Sequence, residues 1–133
     1  MLVFLKAWAA TAIFFLVIDA IWLGVITRSF YAEQLGGLMK DEVNFSIAAL
    51  FYIFFTAAIV YLASMNGFRE NSAVIALISG AVLGLAANGT YDITNMATLK
   101  DWPVTMSIVD MIWGTIITAS ASYVGYRSLV YFQ

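Results

Sequence analysis

Four stretches of the chain, residues 2–27, 45–64, 72–98 and 103–126, run almost without charge for at least the roughly 20 residues that an α-helix needs to cross a hydrocarbon core of about 30 Å. Nothing in lipid satisfies a free backbone N–H or C=O, so runs of this kind are helices. The expected fold is therefore an all-α membrane protein, a bundle of four transmembrane helices forming a single domain over residues 1–133. Composition points the same way. Of the 133 residues 63% are hydrophobic and only 11% charged, against about a quarter charged in soluble domains. A water-soluble fold of this length is excluded, because too few polar side chains remain to cover the surface that a small domain must expose.

The charges that do occur mark where the spans end. They cluster at residues 28–42, at Arg69-Glu70 and at Lys100-Asp101. The first apolar run is interrupted only by Lys6 and Asp19 and continues to Thr27, longer than a signal peptide's apolar region and without a small-residue cleavage site, so it is expected to be retained. Asn66-Gly67 is a turn signal after the second run. Pro103 suits the first position of a new helix, where its missing N–H is not needed. Trp8, Tyr31, Tyr61, Trp102, Tyr123 and Tyr126 lie near span ends, where amphipathic rings favour the headgroup layer. The loop of residues 28–44 is expected to lie on the membrane surface. The aromatic second run, with Phe51, Tyr52, Phe54, Phe55 and Tyr61, carries no inward polar set and is expected to face lipid or a neighbour.

Four spans put both termini on one side. Lys6, Arg69 and Arg127 share that side, and Arg28, Lys40 and Lys100 the other, so the basic residues that set orientation are evenly split. Cytoplasmic termini are the expectation, with dual topology as the alternative.

A net charge of -2 with six basic residues supplies no basic patch for phosphates, so no nucleic acid partner is expected. With no Cys and no His, disulfides, thiolate chemistry and the usual ligands of zinc, copper, haem and non-haem iron are excluded. Neither a metal site nor a cofactor is expected. What remains for chemistry is carboxylates, amides, hydroxyls and indoles.

Three carboxylates inside the spans, Asp19, Asp92 and Asp110, need a reason, since a charged Asp at mid-helix costs about 2.5 to 3.5 kcal/mol on insertion scales. Asp19 is nine positions before Arg28, Asp92 eight before Lys100 and Asp110 nine after Asp101. At about 1.5 Å per residue all three are expected roughly 12 to 14 Å inside the face that carries the first and third loops. In the third span Gly80, Gly84, Asn88 and Asp92 recur every four residues. The two glycines permit close helix approach where Asn88 and Asp92 meet the partner, and Asn95 follows one turn on.

The first span reads Asp19-Ala20-Ile21-Trp22 and the fourth Asp110-Met111-Ile112-Trp113, each with a Trp three residues after an Asp on the same side of its helix. Thr27 and Thr118 each follow their Asp by eight positions. An inverted repeat would send Asp19 and Asp110 to opposite levels, whereas both are placed near one face, so convergent use of one local device is the reading. No Lys, Arg or His accompanies the acids. The cluster is therefore expected to be protonated, hydrated or occupied by a cation, because adjacent carboxylates disfavour each other's charge. Asn88, Asn95, Thr94, Thr115 and the indoles of Trp22 and Trp113 are its candidate donors.

The segments Ile18-Asp19-Ala20-Ile21-Trp22-Leu23-Gly24, Thr90-Tyr91-Asp92-Ile93-Thr94-Asn95 through Ala97-Thr98-Leu99-Lys100-Asp101-Trp102-Pro103, and Val109-Asp110-Met111-Ile112-Trp113-Gly114-Thr115 resemble an uncharacterised bacterial family of membrane proteins, domain of unknown function 2177. The resemblance covers essentially the whole chain. It implies four spans and a bacterial inner-membrane location, and no established activity.

The candidate site residues are Asp19, Trp22, Asn88, Tyr91, Asp92, Asn95, Asp110 and Trp113. Three functions fit them. The first is a binding or proton-coupled transport site for a small cation or an amphipathic or lipid ligand, with Asp92 as protonatable centre. In architecture this is similar to small multidrug-resistance transporters, whose motifs are absent. The second is an enzyme acting on lipid or lipoprotein through an aspartate pair. It is similar in span number to signal peptidase II, but that family's Asn-x-x-Asp-Arg and Asn-x-Ala-Asp patterns are missing. The third is a small structural subunit, a homo-oligomer or part of a larger membrane complex, using Gly80-x-x-x-Gly84 and the small face Thr115, Ala119 and Ser122 for helix contacts. Membrane lipids are the expected partners in every case.

Overall fold

The computed structural model describes residues 1–40, 42 and 44–133. Among them there is no strand, and four helices are long and apolar enough to cross a membrane: α1 Leu2–Ile26, α3 Phe45–Arg69, α4 Ala73–Thr98 and α5 Val104–Phe132. A shorter helix, α2 Arg28–Leu35, follows α1 directly. The expected spans are recovered, with two extensions. α3 continues past Ser64 to Arg69, and α5 past Tyr126 to Phe132.

Local chemistry explains the helix starts. Ahead of α3, the Asn44 side chain accepts a hydrogen bond from the Ile47 N–H at 3.1 Å. Ahead of α4, the Ser72 hydroxyl accepts from the Ile75 N–H at 3.2 Å. Both satisfy donors that the first turn leaves free. The turns into α4 and α5 pass through Asn71 at φ 52 and Asp101 at φ 59, residue types that tolerate left-handed backbone better than most. Two single turns are wound more loosely, as π-helix, at Trp22–Ile26 in α1 and Val60–Ser64 in α3.

The bundle is held by antiparallel neighbours in register. Along α1 and α5, Ala7 and Leu129 share one apolar cluster with Val60 of α3, and Phe15 shares another with Ile59, Ile117 and Ala121. α4 and α5 pack closest. A methyl group at Gly84 would lie 2.3 Å from the Gly114 carbonyl oxygen, so only glycine lets the two backbones approach this far. Small residues at a crossing are how helices associate in lipid, where apolar burial supplies no drive.

The half of the bundle near the termini is stitched by hydroxyls. Ser64 donates to the Ser122 carbonyl at 2.8 Å and Ser122 to the Ala76 carbonyl at 2.7 Å, while Thr11 bonds back to Ala7 within its own helix. Large apolar residues such as Ile13, Leu50, Phe54 and Val82 lie on the outside, as lipid contact requires.

Candidate functional site

The opposite half of the bundle, towards the first and third loops, is not filled. A cavity of about 560 Å³ opens there, lined by residues of all five helices. Phe15 and Asp19 come from α1, Tyr31 and Leu35 from α2, Phe51, Tyr52 and Phe55 from α3, Asn88 and Tyr91 from α4, and Asp110, Trp113 and Ile117 from α5. The walls are aromatic and aliphatic, and each helix adds a polar group to them: Asp19, Tyr31, Tyr52, Asn88 and Asp110.

Asp19, Tyr31, Asn88 and Asp110 are linked by hydrogen bonds and an indole stack. The Trp113 indole N–H donates to the Asp19 carboxyl at 3.1 Å. The Trp22 indole lies flat on that of Trp113, with centroids 4.2 Å apart and planes 5° from parallel. Its own N–H donates to the Tyr31 hydroxyl at 3.3 Å, and Tyr31 donates onward to Asp110 at 3.2 Å. Each tryptophan thus serves the aspartate of the opposite helix, one directly and one through a tyrosine. The matching Asp-x-x-Trp motifs are explained by this reciprocity at one antiparallel contact.

Asn88 holds the third wall. Its amide donates to the Asp110 backbone carbonyl at 3.0 Å and to the Asp110 carboxyl at 3.3 Å, and its position is fixed by the bare backbone of Gly114 opposite.

Asp92 lies one turn further along α4 and is fully buried, with Asp110 the charged group that acts on it. Neither of its oxygens has a hydrogen-bond donor. Among the described residues these are the only buried side-chain oxygens or nitrogens left unpaired. Orphaned buried acceptors cost about 1–3 kcal/mol, more when charged. A carboxyl-to-carboxyl contact becomes a hydrogen bond once one of the two carries a proton. No basic side chain is among the groups acting on Asp19 or Asp92, and the side-chain partners of Asp110 are Tyr31 and Asn88. Outside the spans, burial pushes the Tyr31 phenol above its ordinary range, the hydrogen bond from Trp22 opposes this, and the nearby Asp110 adds to it.

Of the residues singled out from the sequence, Asp19, Asn88, Tyr91, Asp110 and Trp113 line the cavity, Trp22 backs it through the indole stack, and Asp92, fully buried, is not part of the lining. Asn95 lies one further turn along α4, outside the lining, and no side-chain hydrogen bond ties it to the carboxylates. Thr94 and Thr115 also fail to serve the cluster. Thr94 bonds back to the Thr90 carbonyl and Thr115 to the Met111 carbonyl, the usual local partner for a hydroxyl inside a helix.

Two residues of the site escaped the sequence reading. Tyr31 was expected to be a headgroup anchor. Instead α2 folds back and delivers its hydroxyl to Asp110. The second span was expected to face outward entirely, yet Tyr52 lines the cavity with its hydroxyl close to Asp19. The available signal was a phenol at mid-run, Tyr52, whereas the run's other phenol, Tyr61, lies near its end.

The family model described as predicted membrane protein, domain of unknown function 2177, matches residues 4–127. No curated protein and no solved structure matches the chain.

Proposed function

Because the chain belongs to this family of predicted membrane proteins, we propose that it is a bacterial inner-membrane protein whose cavity is a binding site for an amphipathic ligand, with occupancy coupled to protonation of the carboxylate cluster. The observation that carries this is the mixed lining of the 560 Å³ cavity, aromatic and aliphatic side chains together with two carboxyls and an amide. Its volume lies in the range of small-molecule sites, about 300–1,000 Å³, and convergent polar groups on an apolar wall are what fix a ligand's orientation. The ligand's polar end meets Asp19, Asn88 and Asp110, and its hydrocarbon part lies on Phe15, Phe51, Phe55 and Ile117.

The enzyme alternative, through a pair of Asp92 and Asp110, has less support. An acid and base acting together on one substrate bond must both reach it, and Asp92, fully buried, does not line the cavity.

The test is to fill the space. Ala87 lines the cavity, and Ala87→Phe places a ring in it. Purified wild-type protein, washed in detergent and extracted into organic solvent, is expected to release a stoichiometric amphiphile by mass spectrometry, and the variant is expected to release little. Equal contents in two proteins of equal thermal stability would refute the proposal.

A further inference from the structure

We infer that the ligand is a lipophilic organic cation, an ammonium-bearing amphiphile, and that its arrival displaces the proton shared by the Asp92 and Asp110 carboxyls. This rests on the reading of the cavity as a binding site and names the chemistry that the site selects.

Charge makes the first selection. The titratable groups that act on Asp110 or on which it acts are Asp92 and Tyr91 from α4, Asp19 from α1, Tyr52 from α3 and Tyr31 from α2, and the Asn88 amide donates to it. None of them is basic. An anionic headgroup would meet carboxyls with no cation to offset them, whereas a cation is drawn to those carboxyls.

Size and lining make the second selection. A bare metal ion does not need 560 Å³ of space, and among the described residues no group of three or more carboxylates is arranged to hold one. Aromatic rings such as Phe15, Tyr52, Phe55 and Tyr91 instead offer π-faces, which attract alkylammonium groups most strongly where water is excluded.

The third observation is the orphaned carboxyl. Asp92 is fully buried and has no donor on either oxygen, and no basic side chain is among the groups acting on it. In the proposed empty state a proton on this carboxyl, directed at Asp110, satisfies it. A cation that pairs with Asp110 from the cavity takes over the role of that proton. The carboxyl O–H bond breaks, the proton leaves to water, and the summed charge of pair and occupant stays at minus one. The exchange is one proton out for one cation in.

The full-length protein in nanodiscs of phosphatidylglycerol, a lipid without an amine, provides the test. Three probes of similar size are titrated by calorimetry: the cation tetraphenylphosphonium, the anion tetraphenylborate and neutral triphenylphosphine oxide. In two buffers of different ionisation enthalpy, the cation is expected to bind with release of one proton, and at least roughly tenfold more tightly than either other probe, a gap of about 1.4 kcal/mol. Asp110→Asn is expected to weaken the cation by a similar factor and abolish proton release. Asp92→Asn leaves Asp110 on the wall, so the cation still binds, without proton release. Phosphatidylethanolamine added to the bilayer competes with the probe if the natural occupant is a lipid amine, and leaves it undisturbed if the occupant is a free cation. Equal binding of all three probes, or proton release that survives both substitutions, overturns the inference and leaves the binding site standing. Failure of every probe to bind overturns both.

Discussion

Replacing Gly84 by alanine tests whether the crossing of α4 and α5 positions the site. The new methyl would lie 2.3 Å from the Gly114 carbonyl oxygen and 2.7 Å from Thr118 Cβ. Carbon-to-oxygen contacts between helices normally start near 3.3 Å, so the helices must part by about 1 Å. The first obstacle is backbone, which cannot rotate away as a side chain could. Overpacking of this kind costs about 1–3 kcal/mol, a factor of roughly 5 to 150 in the folding equilibrium. One turn along, Asn88 spans the same seam to Asp110 at 3.0 and 3.3 Å, and a 1 Å separation takes both bonds beyond hydrogen-bonding distance.

Gly89→Ala on the same helix is the control. Its methyl would meet only the Met111 sulfur, at 3.8 Å, and alanine is favoured over glycine within a helix by up to about 1 kcal/mol. The assay is reversible unfolding in mixed micelles of rising dodecyl sulfate fraction, read by circular dichroism, alongside calorimetric binding of tetraphenylphosphonium. Gly84→Ala is expected to unfold earlier and bind more weakly, while Gly89→Ala matches or exceeds wild type. A Gly84→Ala protein as stable as wild type, or equal losses in both variants, would refute the close-crossing argument.

Trp113→Phe keeps a ring against Trp22 but removes the donor to Asp19, and is expected to lower stability in the same assay by about 1 kcal/mol, towards the lower end of the cost of a lost buried bond. Tyr31→Phe cuts the link from Trp22 to Asp110. Hydrogen exchange of the Arg28–Leu35 amides is expected to accelerate in that variant, whereas unchanged exchange would mean that α2 is held by its apolar contacts alone. Tyr31 also gives a pH signature. Its folded phenol resists ionisation while the unfolded one ionises near 10, so its contribution is complete below about pH 10 and declines as pH rises above that. Wild type is therefore expected to lose stability more steeply than Tyr31→Phe above pH 10, and parallel curves would count against this. Ser122→Ala leaves the Ala76 carbonyl without its donor and is expected to cost about 0.5–1.5 kcal/mol by dodecyl sulfate unfolding.

How far the sequence reached follows from the range of each interaction. Span positions depend on the length of apolar runs, a local property, and all four were legible. Asp19, Asn88 and Asp110 were legible as a group because charge in lipid is costly enough to require company. Tyr31 was not, since its role depends on a break at Thr27 that turns α2 back over the cavity, and no periodicity encodes that reversal. Tyr52 was hidden because its hydroxyl is a minor part of a ring suited to lipid. The place of Asn95 outside the lining was not legible, because spacing along one helix cannot tell which turn is last to meet the neighbour.

The bond from Trp113 to Asp19 joins residues 94 positions apart in sequence. A ribosome adding about 5–20 residues per second therefore makes the acid roughly 5–19 s before its partner. During that interval the indole that holds Asp19 in the folded protein does not yet exist. The contact that closes the bundle over its first carboxylate is therefore among the last that synthesis makes available.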